Sequence, residues 1–275
     1  MNLLLLTIVF VPIHAGYKAK NYCSKKLCNP DKNSACNTTG NWGPTCIQTI
    51  RFVKFTELQK QLLLDVTNFC RSGVAIGSES NATGFAFSTA SQMNKILWDE
   101  EQAFMAALQI KTCLSHDPCH NTWYDDANNK KVYSGQNLYY ELTYVPIRPL
   151  LEDVITSAVY AWYLEIGGAP ISVIKNVQLN PFYEIGHFLT MSHDQTTTIG
   201  CVATQWEGPL DNYGIPKYSR ITCNYFSVPI LGRVLYRSGD ICSKCAVCDH
   251  SSQFYGLCIL DPLSLINQYN FNDTV

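Results

Sequence analysis

The sequence is short of charge. Of its 275 residues only 15% are Asp, Glu, Lys or Arg, and 20 basic against 22 acidic side chains give a formal net charge of -2 without long runs of either sign. That excludes the basic stripe a phosphate backbone requires, so nucleic acid is not an expected partner. Long apolar runs are missing too. The stretch from Leu3 to Val11 stops far short of the roughly 20 residues a membrane helix needs, so no transmembrane anchor is expected. Internal repeats and low-complexity tracts are absent, which removes solenoid architectures.

Cysteine, in contrast, is abundant. Thirteen cysteines behind the opening "MNLLLLTIVFVPIHA", which reads as a secretory signal peptide over residues 1–15, point to an oxidising compartment and to disulfides. In that setting "CSKCAVC" (242–248) is a disulfide cluster and not a zinc knuckle. The sequons at Asn37, Asn81 and Asn272 fit a glycoprotein of the extracellular space. A hydrophobic content of 47% is ample for one main core.

Residues 16–50 hold Cys23, Cys28, Cys36 and Cys46 among polar residues, and such a segment needs cross-links to keep a shape. From Phe55 the pattern becomes helical, with Leu58, Leu62, Val66 and Phe69 on one expected inward face and a stop near Gly73. A second helix starts at "WDEEQ", where Asp99 and Gln102 form a capping-box-like pair, and buries Ala103, Ala106, Ala107 and Ile110. "NLYYELTY" alternates as a strand, and "PLLEDVITSAVYAWYLEIGG" is a helix that ends at a Gly pair. "TIGCVATQWE" and "YSRITCNYFS" read as neighbouring antiparallel strands joined by a turn-rich loop. Helices before and after a short sheet predict an α+β layered domain over 51–238, with the cysteine-rich ends, including an appendage over 239–275, outside it.

The stretch "EIGHFLTMSHD" (184–194) places His187 after a glycine and His193 six residues later. A relay of Ser192, His187 and Asp194 is excluded, because three residues within nine on one helix do not line up nucleophile, base and orienting acid. "GHFLTMSHD" resembles the signature helix of the CAP superfamily, the cysteine-rich secretory, antigen 5 and pathogenesis-related proteins. "CNYFSV" (223–228), "SGQNLYY" (134–140) and "LWDEEQAFMAALQIKTC" (97–113) resemble further motifs of that family. "YCSKKLC", "WGPTC" and "HDPCHNT" (116–122) narrow the resemblance to the insect antigen 5, or venom allergen 5, branch.

The resemblance implies a disulfide-rich three-layer α-β-α sandwich. It implies the pairs Cys23 with Cys36, Cys28 with Cys119, Cys46 with Cys113 and Cys201 with Cys223, leaving Cys70, Cys242, Cys245, Cys248 and Cys258, which cannot all pair within one chain. It also implies a cleft of His116, Gln136, Glu165 and His187 that can hold zinc or another divalent metal weakly, the alternative being that His116 and His187 only hydrogen-bond Glu165 and Gln136 and tie the layers together; a neutral amide at Gln136 replaces a carboxylate. The expected function is non-enzymatic and needs no cofactor: binding of an extracellular protein or small ligand in venom, saliva or seminal (reproductive) fluid. The alternative is a metal-dependent hydrolase or redox protein that uses the His/Glu cleft.

Overall fold

The computed structural model describes residues 21–29, 32–36, 38–113, 119–125, 129–144 and 146–261. The signal segment, Asn37, His116, Asn272 and the tail after 261 lie outside the described residues.

The elements run β1 (Arg51–Val53), α1 (Glu57–Ala75), β2 (Leu97–Trp98), α2 (Glu100–Lys111), β3 (Trp123–Asp125), β4 (Lys130–Val132), β5 (Gly135–Thr143), α3 (Leu151–Leu164), α4 (Gly186–Ser192), β6 (Thr198–Glu207) and β7 (Lys217–Tyr225). The main sheet has the order β1-β6-β7-β5, all antiparallel, and the short β2 adds to β6 in parallel. Ile199, Cys201 and Ala203 of β6 and Ile221, Cys223 and Tyr225 of β7 bury one sheet face against α1, α3 and Met191 of α4. Because side chains alternate along a strand, Val202 points the other way, against Ala106 and Ile110 of α2. The result is the three-layer α-β-α sandwich. Gly200 is where α2 lies on the strand: a Cβ there would collide with the backbone of Asp99 and Ala103.

Helix α1 differs from its sequence reading. It starts with a full capping box, Thr56 Oγ1 accepting from Gln59 N at 3.2 Å and Gln59 Oε1 from Thr56 N at 3.0 Å. Its buried face is Leu63, Thr67, Cys70, Arg71 and Val74, while Leu58 and Phe69 are 83% and 54% exposed. Leu62 and Val66 of the expected face pack against the core, while Leu58 and Phe69 give way to polar residues that have partners inside. Asn68 exchanges two hydrogen bonds with the backbone of Ile96, at 2.9 and 2.8 Å. Arg71 donates to the carbonyls of Asn94, His193 and Met191. Burial pushes its guanidinium down to about 10, so it stays charged at neutral pH. Asp99 caps α2 by accepting from Glu101 N and Gln102 N, but the Gln102 side chain turns inward to Thr122 and leaves the box half made.

Six disulfides are present among the described residues: Cys23 to Cys36, Cys28 to Cys119, Cys46 to Cys113, Cys201 to Cys223, Cys242 to Cys248 and Cys245 to Cys258. Cys70 is a free thiol in the core, and burial raises it to about 12, so it is neither exposed for intermolecular pairing nor reactive. Residues 239–261 do not stand apart from the domain. Cys258 N donates to Met93 O and Lys95 N to Cys258 O, and Leu257 joins a second core with Val74, Phe87, Phe188, Leu235 and Tyr236.

Two buried imidazoles make stability depend on pH. Burial pushes His120 and His193 down to about 4, with Arg71 and Arg237 adding to the effect at His193. An unfolded imidazole takes up its proton near 6.5, so between pH 6.5 and 4 the unfolded chain binds more protons than the folded one. Stability is therefore greatest above pH 6.5 and falls toward pH 4, by on the order of 2–3 kcal/mol per imidazole. Urea unfolding at pH 7.5, 5.5 and 4.5 checks this; His193→Gln should flatten the slope, and an unchanged slope contradicts the assignment.

Candidate functional site

The cleft begins where α3 stops. Its last turn tightens into a 3-10 turn over Glu165–Gly168, which sets Glu165 facing the start of α4. Helix α4 has seven residues, and the residue before it, Ile185, offers no side-chain cap. Its orphan amides need an acceptor from elsewhere. Glu165 supplies it: Oε2 accepts from His187 N at 2.9 Å and Phe188 N at 3.0 Å. The other oxygen, Oε1, lies 2.5 Å from His187 Nδ1. A carboxylate at a helix N-terminus also complements the helix dipole.

The imidazole of His187 is stacked on Trp162, with ring centroids 6.3 Å apart and planes 26° from parallel. Trp162 is fixed in turn by Nε1 donating to Leu138 O at 2.9 Å. From the sheet, Asn137 Nδ2 donates to His187 O at 3.2 Å. His187 is thus held by α3, the 3-10 turn and β5 at once, and stays partly open to solvent.

Of the four residues expected to line a metal cleft, the structure joins Glu165 and His187. Gln136 bonds Asn224 Oδ1 across the β5–β7 ladder at 2.9 Å, on the opposite strand face from Asn137. His116 lies outside the described residues. Among the described residues no group of three His, Cys, Asp or Glu side chains converges. For Glu165 and His187 the geometry has the hydrogen bond of the structural alternative. With Nδ1 held by a carboxylate, the imidazole is oriented to present Nε2. A metal would take His187 Nε2 and would need its other ligands from outside this pair.

His193 does not join the cleft. Helix α4 ends one residue earlier, and His193 is buried with Nδ1 3.4 Å from Ser227 Oγ and 3.5 Å from Thr196 Oγ1. Ser192 is buried and Asp194 pairs with Arg237 at 3.6 Å, so neither serves His187.

Replacing Glu165 by Ala leaves the two α4 amides without their charged acceptor and should cost about 1.5–3 kcal/mol. His187→Ala, which keeps that acceptor, should cost less. Urea midpoints of the two variants check the order, and equal costs would contradict the capping role.

Comparison with known proteins agrees with the fold. A family model described as "CAP: Cysteine-rich secretory protein family" matches residues 64–225. The chain is 28% identical to Venom allergen-1 of Aedes albopictus over 96% of each chain. It is 32% identical to the antigen 5 like allergen Cul n 1 of Culicoides nubeculosus, over 68% of this chain and 84% of that one. Among solved structures, the crystal structure of NaASP2 with Zn2+ superposes with a TM-score of 0.54 at 24% identity, covering 74% of this chain and 96% of the other. The Gly-His-Phe helix, the Cys-Asn-Tyr strand and the sandwich around them make this chain a member of the CAP, or cysteine-rich secretory protein, family, in its antigen 5-like branch.

Proposed function

We propose that this chain is a secreted, non-enzymatic protein that acts by binding an extracellular ligand or protein. The carrying observation is the use of Glu165: its two oxygens serve the amides of α4 and the ring of His187. A general base must be within reach of a substrate proton, and this carboxylate is turned into the fold. No activated nucleophile lies beside His187 among the described residues, since Ser192 is buried and the thiol of Cys70 is held protonated. No resident cofactor is required for this reading.

Secretion is supported by the cysteine usage, with six disulfides closed among the described residues, and by relatives named as allergens. Among the described residues no helix is long and apolar enough to cross a membrane. Venom, saliva and seminal fluid are the secretions such a protein serves.

The test pairs wild type with His187→Ala and Glu165→Gln, each checked for native folding. Neither variant nor wild type should turn over ester, peptide or peroxide substrates above background. Saturable binding of labelled protein to plasma proteins or cell surfaces should survive both substitutions. Zinc uptake measured by calorimetry should be weak and should diminish in His187→Ala. A turnover present in wild type and lost in His187→Ala would promote the metal-dependent enzyme.

A further inference from the structure

Away from the cleft, an open groove of ≈ 710 Å³ runs between the loop at 81–86 and the turn at 167–171, with Asn180 and Tyr183 on its far wall. Its aromatic walls are wet: Phe85 is 66% and Tyr183 64% exposed. Tyr183 lies flat against Gly168, where a Cβ would sit 2.7 Å from the Tyr183 Cβ. Phe85 and Tyr183 therefore leave aromatic surface open to solvent on both sides of the groove.

Asn81 stands in the wall of this groove and opens the tripeptide Asn81-Ala82-Thr83. The loop that presents it is closed on itself. Asn81 Oδ1 accepts from Thr83 Oγ1 at 2.7 Å, Thr83 N at 3.2 Å and Phe85 N at 3.0 Å. The backbone of Ala82 donates to Gly167 O at 3.0 Å, which fastens the loop to the opposite wall. A side-chain amide nitrogen carries two hydrogens. One points across the groove, Asn81 Nδ2 donating to Ala169 O at 3.2 Å.

We propose that Asn81 carries an N-linked glycan whose first N-acetylhexosamine seats in this groove against Phe85 and Tyr183. In the transfer, a bond forms between Nδ2 and the sugar C1 while the bond from C1 to a lipid-linked diphosphate donor breaks. The diphosphate leaves with the electron pair, and Nδ2 gives up one proton. The remaining Nδ2 hydrogen keeps the bond to Ala169. The sugar's apolar ring face covers the aromatic walls, and its hydroxyls meet Asn180 and water.

This inference rests on passage through the secretory pathway, so the test supplies that passage independently by expressing the chain in insect cells behind a host secretion signal. Peptide mapping should find a hexosamine-containing glycan on Asn81. An apolar fluorescent dye, anilinonaphthalene sulfonate, reads whether the groove is covered. Trimming with an endoglycosidase that leaves one sugar should not change dye fluorescence. Thr83→Ala, which removes the sequon and keeps Asn81, should raise it severalfold, whereas Thr83→Ser, which keeps the sequon, should match wild type. Adding Phe85→Ala and Tyr183→Ala to Thr83→Ala should return the signal to the wild-type level. An unmodified Asn81 in exported protein, or fluorescence indifferent to loss of the glycan, overturns the assignment. Failure of export behind the chain's own residues 1–15 would instead count against the secretion reading.

Discussion

The cleft depends on one carboxylate doing the work of a helix cap. Helix α4 is too short to stabilise itself, and it starts behind an apolar residue, so its first amides have no local acceptor. Glu165, at the end of α3, is brought to them by the 3-10 turn and takes two of them along with the His187 ring. The short helix then carries Phe188 and Leu189 into one core and Met191 into the other. The ring of His187 is oriented by the same carboxylate that seats the helix.

A second polar knot holds the other end of that helix. The guanidinium of Arg71 reaches from α1 to the carbonyls of Met191 and His193, just where α4 ends, and to Asn94 on the strand-like segment beside them. Nearby Asp194 offsets its charge and is itself tied to Arg237. A buried cation with its donors on carbonyls tolerates burial where an unpartnered one would not. Residues 249–257 pack beside this region through Leu257 and through the salt bridge of Lys95 with Asp249 at 2.8 Å.

Much of this architecture was legible in the sequence. The paired strands around Cys201 and Cys223, the start of α2 at Asp99 and the Gly-His-Phe helix all carry strong local signals, and the structure places them in the expected sandwich. The inward face of α1 was legible only in part: Leu62 and Val66 pack against the core. Apolar periodicity selected Leu58 and Phe69, but the helix buries Asn68 and Arg71, whose partners at Ile96, Asn94 and His193 are distant in sequence. The same limit hid the capping of α4 by Glu165, because an acceptor 22 residues before His187 leaves no mark on the residues just ahead of α4. The docking of the final cysteine segment rests on Leu257 and Cys258 filling a core that polar, cysteine-rich composition does not announce.

That Glu165 is a cap can be read atom by atom from amide hydrogen exchange at His187 and Phe188. With the carboxylate in place both amides should be protected, and in Glu165→Ala their protection should collapse while that of β6 and β7 persists. If both amides stay protected without the carboxylate, Glu165 is not what holds α4, and its freedom to serve a metal or a substrate would have to be considered anew.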